Sequence, residues 1–474
     1  MLPPRWSCSR LRFLGVARLV VVLFVTPSGI SVTTASAASA QAVRPTAARV
    51  LSLGDLFDSA LARHPVAEAA RARVRGARGA RTTAGAFGNP VLSYDVENAP
   101  FPSGRPVVGL DRESMTTATL PLASIVQRGP RTRRADAELR AVEADAMGTR
   151  QHLALAATRA YFGTALAQVN IAVASDLVAW LDSVVTYNRA RVDEGVAAEA
   201  DLIRAELERD RAVAQLTMHE AEHARMRAEL AAFLGDLTAG VPSVVVTVDD
   251  APIPLPIVDV TPGAPHQDAH ALTLTASSAS LARRPDVRAA RERLTAAGAG
   301  VSAERSMIVR ELGATFGAKR SAGTTSMMAG VTMPLPIFDP NRGEIVRANA
   351  DRDVAAFDLA ARERTARAEL AGAYEAARLL TERASLLASA AGGRPSLLVR
   401  ADDARRIALG AYREGAVPLL QVIDAARAWG EARMTFYEML YAQHESVALL
   451  LVARGDDLFT ELPSLAARGQ GTPR

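Results

Sequence analysis

The chain has 474 residues, of which 22% are charged, and a formal net charge of +4. Residues 1–40 hold four arginines and no acidic residue, so the rest of the chain has no surplus of basic residues. Nucleic-acid binding needs lysine and arginine gathered on one face, so we expect no nucleic acid as a partner. The one cysteine, Cys8, lies in the same segment, which excludes disulfides and thiolate metal sites from the remaining chain.

Residues 1–40 have the pattern of a secretory signal peptide. Arginines precede an apolar run from Leu19 to Val25, and small residues follow it, so we expect cleavage after Ala37 or Ala40. Cys8 precedes the apolar run, whereas the cysteine of a bacterial lipoprotein follows it. We therefore predict an exported chain without a lipid anchor. No later stretch has the roughly 18 consecutive apolar residues of a membrane-spanning helix.

Two parts of the chain, about 220 positions apart, resemble each other. Leu61-Ala62-Arg63-His64-Pro65 recurs as Leu281-Ala282-Arg283-Arg284-Pro285, and Glu194-Gly195 recurs as Glu414-Gly415. These matches predict a first repeat over residues 41–240 and a second over 271–456. Between them, residues 241–270 are rich in proline and valine and are expected to form an ordered linker. Residues 457–474 are expected to be a flexible tail.

The first repeat begins with a predicted helix and continues with a predicted hairpin. Leucine and valine recur at helical spacing from Leu53 to about Ala80. After Gly88-Asn89-Pro90 the apolar and polar residues alternate, which predicts a hairpin over residues 91–120 with one apolar and one polar face. The second repeat shows the same alternation over residues 310–334.

Long helices are predicted after each hairpin. From about Arg131 to Glu194 apolar residues recur in steps of three or four, which predicts a helix roughly 95 Å long. Gly195 ends this helix, and a second one runs from about Ala198 to Leu234. We expect the second helix and the Leu53–Ala80 helix to stack end to end beside the long one.

The second repeat follows the same plan, with an interruption in its long helix. Gly415 takes the place of Gly195, and Pro418 suits the first turn of the next helix. Gly392-Gly393-Arg394-Pro395 predicts a kink in the long helix. The predicted fold class is therefore mainly α with a small β part and an internal twofold repeat.

The segment His219-Glu220-Ala221-Glu222-His223 matches the zinc-protease pattern H-E-x-x-H, in which two histidines bind the metal and the glutamate deprotonates its water. No third ligand is obvious, and the matching segment of the second repeat, Met439-Leu440-Tyr441-Ala442-Gln443, has no histidine. We interpret the segment as a coincidence on a solvated helix face, although a weak metal contact stays open. We expect no enzyme activity, no catalytic residue, no cofactor and no metal site.

Four strands in one chain leave open edges that lipid does not tolerate, so the hairpins require an oligomer if they enter a membrane. The alternative is a soluble periplasmic scaffold in which the hairpins are clasps on a coiled coil.

The layout of two copies of helix, hairpin, long helix and glycine-turned helix behind a signal peptide resembles the TolC-like outer-membrane efflux proteins over nearly all of the mature chain. Local stretches add to the resemblance. Residues 333–343, Met-Pro-Leu-Pro-Ile-Phe-Asp-Pro-Asn-Arg-Gly, are similar to the strand-to-helix junction of that family. Gly88-Asn89-Pro90 followed by Val96-Glu97-Asn98 is similar to its heavy-metal branch.

The resemblance implies a homotrimer whose hairpins form a shared twelve-stranded β-barrel in the bacterial outer membrane, with long antiparallel helices forming an α-barrel in the periplasm. It implies a periplasmic adaptor (membrane fusion protein), an inner-membrane pump of the resistance-nodulation-division (RND) type and outer-membrane lipid as partners. The protein would then be a passive duct for heavy-metal cations. Multidrug efflux and type I secretion are the alternatives within the same fold.

The resemblance also implies roles for residues at the helix tips. Glu194, Gly195 and Val196, with Glu414, Gly415 and Ala416, would dock the adaptor. The family carries acidic residues at its periplasmic aperture, and the matching positions here are Gln421 and Asp424, with Asp201 in the corresponding place of the first repeat. A ring of Asp424 carboxylates would favour cations. The alternative is that Asp201 and Asp424 only complement helix dipoles.

Overall fold

The structure is a computed structural model that describes residues 49–62, 64–99, 111–235, 244–248, 251–256, 281–389 and 395–469. The predicted signal peptide lies outside these residues. The helices are α1 Leu53–Ala62, α2 Pro65–Ala84, α3 Ala123–Asp193, α4 Glu199–Leu234, α5 Pro285–Ser306, α6 Arg342–Ala388, α7 Leu397–Arg413, α8 Leu419–Arg454 and α9 Leu458–Gly469. The strands are β1 Arg49–Leu51, β2 Val91–Glu97, β3 Glu113–Pro121, β4 Val244–Val246, β5 Gly313–Ser321 and β6 Thr324–Thr332.

The first predicted helix is in fact two helices, α1 and α2, so the prediction of one helix from Leu53 to Ala80 is wrong. His64 lies before Pro65 and has an extended backbone (φ −65°, ψ 131°), because the proline ring disfavours the helical conformation in the preceding residue. Pro65 starts α2, and the His64 ring accepts a hydrogen bond from the amide of Val66. The X-Pro step therefore ends one helix and caps the next.

The long helix α3 has 71 residues and starts eight residues before the predicted Arg131. It continues through Pro130, although proline removes one helical hydrogen bond. The first turn is anchored from outside: the amide of Ala123 donates to the carbonyl of Leu312, and the side-chain amide of Gln127 donates to the carbonyl of Val309. These contacts hold the helix on the proline's N-terminal side.

The two hairpins form one four-stranded antiparallel sheet in the order β2-β3-β5-β6. The register pairs Ser93 with Thr117 and Thr117 with Gly317, so one face is polar and its hydroxyl groups are bonded across strands. The other face carries large apolar side chains that are exposed in the single chain: Leu92, Tyr94, Phe316, Met327 and Val331. The sheet is amphipathic, as the alternation predicts.

The short helices stack end to end beside the long ones. The ring of His64, before α2, stacks on that of Phe233 near the end of α4, with centroids 5.9 Å apart. In the second half, the Arg284 guanidinium, before α5, donates to the carbonyl of Ala453 near the end of α8. Gly455 adopts a left-handed backbone there, and a β-carbon on it would lie 2.8 Å from the Arg284 amide nitrogen. This close approach requires glycine.

The main core joins the first and last described elements to part of the segment between the halves. Strand β1 pairs in parallel with β4, which lies within the predicted linker. Residues after Asp456 form α9, whose Leu458, Leu462 and Leu465 are buried in the same core. The prediction of a flexible tail over 457–474 is therefore wrong for the described part, because α9 buries an apolar face.

The predicted kink at Gly392-Gly393-Arg394-Pro395 lies, apart from Pro395, outside the described residues. The helices on either side end at Ala388 and begin at Leu397.

Candidate functional site

Two turns between long helices carry the predicted tip residues, and each is closed by a glycine with a left-handed backbone. Gly195 after α3 has a φ of 74°, and Gly415 after α7 has a φ of 77°. In the first turn the Val196 amide donates to the carbonyl of Arg191, and the Gly195 amide donates to that of Val192. This pair of bonds is a Schellman motif, which closes the helix and needs a residue that tolerates positive φ.

The second turn repeats this arrangement. The amide of Ala416 donates to the carbonyl of Ala411 at 2.8 Å, and the amide of Gly415 donates to that of Tyr412 at 3.0 Å. The six residues predicted for docking are all exposed: Glu194, Gly195, Val196, Glu414, Gly415 and Ala416. Both turns are therefore rigid in backbone and open to a partner.

The two turns lie side by side because α3 and α7 are bonded just above them. The hydroxyl of Tyr412 donates to the side-chain oxygen of Asn188 at 2.5 Å, and both residues are buried. The Tyr187 ring packs edge-on against that of Tyr412, and the Arg191 guanidinium lies over both rings. Burial raises the pKa of the Tyr412 hydroxyl, so this group remains a hydrogen-bond donor.

An apolar cluster beneath these contacts joins all four helices of the tips. We define the tip cluster as its buried members: Val184, Val185, Ala205, Tyr412, Leu419, Val422 and Ile423. They come from α3, α4, α7 and α8, so neither pair of helices moves without disturbing the packing of the other.

The predicted aperture residues start the helices that follow the tips. Gln421 and Asp424 are exposed, and their spacing of three places both on one face of α8. Asp201 is half-buried in the first turn of α4. Asp201 follows Gly195 by six residues and Gln421 follows Gly415 by six, so Asp201 corresponds in position to Gln421 and not to Asp424.

The helix-dipole interpretation applies differently to the two aspartates. Asp201 lies in the first turn of α4, where a negative charge is stabilised by the unpaired backbone amides. Asp424 is the sixth residue of α8, and the dipole effect falls off within the first turn. The dipole therefore accounts for Asp201 and gives no reason for a charge at Asp424.

Three residues that the sequence analysis did not predict lie beside Asp424: Glu208, Arg211 and Arg427. An Nη of Arg427 donates to a carboxylate oxygen of Glu208 on α4 at 2.6 Å, and the other Nη lies 3.9 Å from Asp424. Arg211 donates to the same Glu208 oxygen at 2.6 Å. We call Glu208, Arg211, Asp424 and Arg427 the Glu208 cluster. Only the (i, i+3) spacings within α4 and α8 signal it in the sequence, because Glu208 and Arg427 lie far apart along the chain.

The protonation of this cluster follows from its geometry. Burial by itself would raise the pKa of Glu208, but hydrogen bonds and charges from Arg427 and Arg211 outweigh it and hold that pKa below its ordinary value. The hydrogen bond that Arg427 donates to Glu208 raises the pKa of Arg427. Both groups are therefore charged at neutral pH.

His219 and His223 lie half-buried in the middle of α4. Nε2 of His223 is shielded from solvent and has no hydrogen-bond partner among the described residues. Burial, together with the charge of Arg227, lowers the pKa of His223. Glu222 is bound by Arg225 at 2.6 Å. Within the described ranges, no group of three or more His, Cys, Asp or Glu side chains is placed to hold a metal ion.

Gly88 and Asn98, which belong to the segments compared with the heavy-metal branch, are each favoured by the local backbone geometry. A β-carbon on Gly88 would lie 2.6 Å from Pro121, so glycine is required where the chain enters β2. Asn98 ends β2 with a left-handed backbone (φ 56°), and its side-chain amide donates to the carbonyl of Asp111. Asparagine is favoured there over most residues.

One helix in the described part, α3, is long and apolar enough over an 18-residue window to cross a membrane by length and composition. By the stricter criterion of about 18 consecutive apolar residues, no stretch after residue 40 qualifies. Part of this apolar surface packs in the main core, where Leu153, Ala157, Tyr161 and Phe162 are buried.

The model of the outer membrane efflux protein family matches residues 276–456. Among solved structures, CusC is 19% identical with a TM-score of 0.69 and covers 85% of this chain and 92% of its own. VceC, an outer membrane protein of Vibrio cholerae, is 20% identical with a TM-score of 0.66 over 86% and 96%. The outer membrane channel CmeC of Campylobacter jejuni is 17% identical with a TM-score of 0.67 over 87% and 89%.

No curated protein sequence matches significantly. Residues 276–456 thus match the model of the outer membrane efflux protein family, and the chain shares its fold with CusC, VceC and CmeC.

Proposed function

We propose that this protein is the outer-membrane exit duct of a tripartite efflux system. The observation that carries the proposal is the combination of an amphipathic four-stranded sheet at one end of α3 with two exposed Schellman turns at its other end. A soluble scaffold has no need of a sheet whose apolar face is uncovered, because exposing large apolar side chains to water costs free energy. In an exit duct, the sheet would enter the membrane and the two turns would contact a partner.

The open edges of the sheet require an oligomer if the sheet enters lipid, and we propose a homotrimer. Strands β2 and β6 each have one neighbour in the described sheet, so each leaves an unpaired edge. Unpaired backbone amides and carbonyls cannot lie in lipid, and edge-to-edge pairing of three copies closes a barrel of twelve strands. The polar face, with Ser93, Thr117 and Thr315, would then line the pore, and the apolar face would contact outer-membrane lipid.

The tips would connect this duct to the inner membrane. The exposed turns at Gly195 and Gly415 would dock a periplasmic adaptor, and an RND-type pump would supply the energy. Opening would splay the tip helices, which requires loss of the Tyr412–Asn188 hydrogen bond and rearrangement of the tip cluster. In this scheme the duct itself remains passive.

We propose heavy-metal cations as the cargo, because of the Gly88-Asn89-Pro90 and Val96-Glu97-Asn98 motif and the acidic Asp424 at the aperture. A strain that lacks the protein should become more sensitive to zinc or copper salts and keep its resistance to lipophilic dyes. Sensitivity to dyes with unchanged metal resistance would favour the multidrug alternative.

Membrane fractionation tests the duct against the scaffold. We expect the mature protein in the outer-membrane fraction, extracted by detergent as a trimer. Met327→Glu should abolish insertion, because Met327 is 93% exposed on the apolar face. Ser326→Glu is the matched control, since the neighbouring residue lies on the polar face, where β6 pairs it with Lys319. A soluble monomer, or equal effects of both substitutions, would contradict the proposal.

A further inference from the structure

Two carboxylates of the Glu208 cluster, those of Glu208 and Asp424, compete for the guanidinium of Arg427. Arg427 bonds Glu208 at 2.6 Å across the interface between α8 and α4, while Asp424, one turn away on its own helix, lies at 3.9 Å. The Glu208 side chain is only 11% exposed, whereas that of Asp424 is 59% exposed. Arg427 therefore has its strong hydrogen bond to Glu208 and only a weak contact with Asp424.

Without Glu208, Asp424 would be the nearest acceptor. An acidic residue and an arginine at (i, i+3) on one helix are within reach of direct bonding, as Asp403–Arg406 and Glu222–Arg225 of this chain show at 2.6 Å. Glu431 is the other acidic group that acts on Arg427, and it lies one turn further along α8. The position of Arg427 is thus decided by a residue of another helix.

We propose that Glu208 is a positioning residue that holds Arg427 against α4 and so leaves the carboxylate of Asp424 only weakly compensated at the aperture. The inference rests on the proposed function. In a channel, a full negative charge favours cations, whereas a carboxylate bonded to a guanidinium attracts them weakly. Glu208 would set the charge selectivity of the aperture from outside it.

In this proposal Glu208 acts through Arg427 and not through its own charge. Substituting the two residues singly and together distinguishes these two effects. Glu208→Gln should lower the cation-to-anion permeability ratio about twofold, since Arg427 is released onto Asp424. Arg427→Gln should raise the ratio. In the Arg427→Gln background, Glu208→Gln should have little further effect, because no guanidinium remains to be released.

Glu208→Asp separates position from charge. Aspartate keeps the charge but is one methylene shorter, so it should lose part of its hold on Arg427 and lower the ratio in the same direction as Glu208→Gln. Glu222→Gln is the matched control, because Glu222 lies on the same helix and its arginine partner, Arg225, is on α4 as well. It should leave the ratio unchanged.

The experiment is the reversal potential of the purified trimer in planar bilayers under a potassium chloride gradient. Equal effects of Glu208→Gln with and without Arg427, or a wild-type ratio for Glu208→Asp, would overturn the inference and leave the duct intact. Absence of any channel from the unsubstituted trimer would overturn the proposed function instead. Recovery of each variant as a trimer in detergent shows that it has folded.

Discussion

The hydroxyl group of Tyr412 donates a hydrogen bond of 2.5 Å to the side-chain oxygen of Asn188, and this bond joins the helix before one tip to the helix before the other. Asn188 is fully buried, and its amide nitrogen donates to the carbonyl of Val184 at 2.8 Å. The pair therefore links α3 to α7 at a depth where water cannot replace either partner. It is a direct polar restraint between the two helices that lead into the turns.

Tyr412→Phe should weaken this restraint while keeping the ring in the tip cluster. Leaving the buried Asn188 oxygen unpaired costs about 1–3 kcal/mol, so we expect a lower unfolding temperature and a larger mean conductance in planar bilayers. Tyr187→Phe is the control, because its ring belongs to the same aromatic contact while its hydroxyl has no partner in the described part of the chain. Unchanged conductance of Tyr412→Phe would show that the bond does not restrain the tips.

Gly195→Ala should destabilise the first tip through its backbone alone. The φ of 74° costs an L-residue roughly 1–2 kcal/mol, and no atom lies within 4 Å of the added β-carbon. Gly372→Ala, in the interior of α6 with equally open surroundings, should instead stabilise the protein by about 0.5–1 kcal/mol. Thermal unfolding of both variants in detergent gives the comparison, and a loss of stability in both would contradict the backbone explanation.

Asp424→Ala should lower the cation selectivity of the purified channel. The carboxylate is 59% exposed and only weakly compensated by Arg427, so its removal takes a negative charge from each copy. Asp403→Ala is the matched control: it removes an exposed aspartate with its own (i, i+3) arginine from α7. Reversal potentials measured under a salt gradient test this prediction. An unchanged value for Asp424→Ala would contradict the placement of Asp424 at the aperture.

His223 should make stability depend on pH below about 6.5. Burial and Arg227 lower its pKa, so the folded state favours the neutral ring. Its contribution is complete above the ordinary pKa of 6.5 and is lost as the pH falls through the lowered value in the folded state. His223→Gln should therefore reduce the fall in unfolding temperature on acidification.

His219→Gln, one turn earlier on α4, is the control for this measurement. Nε2 of His223 is shielded and unpaired among the described residues, and the same is not found for His219. An equal change in the pH profile for both substitutions would contradict the role given to burial at His223.

Much of this architecture is predictable from periodicity. The alternation after Pro90 and before Pro334 predicts both hairpins, because side chains of a strand point alternately to two faces. The helical spacing after Arg131 predicts α3, and Gly195 and Gly415 predict the two tips, because a Schellman turn needs a residue that tolerates positive φ. These are local properties, and nearest neighbours along the chain are sufficient to specify them.

The departures from the sequence predictions have two physical origins, one local and one distant. Pro65 divides the first helix through the residue before it, yet Pro130 leaves α3 intact, because contacts with Val309 and Leu312 hold its first turns. The tail after Asp456 is helical since Leu458 and Leu462 find a core made by β1, β4 and α8. Only the division at Pro65 follows a local preference; at Pro130 and in α9 a distant contact outweighs one.

Whether a residue of the candidate site could be predicted also depends on whether its contacts are local or distant. The tip glycines are recognisable in the sequence, because each is needed for its own backbone conformation, whereas Gln421 and Asp424 are predicted only through the resemblance to the efflux family. The Tyr412–Asn188 bond and the Glu208–Arg427 pair are not, because their partners lie more than 200 residues apart and meet only when α3, α4, α7 and α8 pack together. Properties that depend on neighbouring residues can be predicted from the sequence, whereas a contact between helices depends on the packing angle and register of both helices.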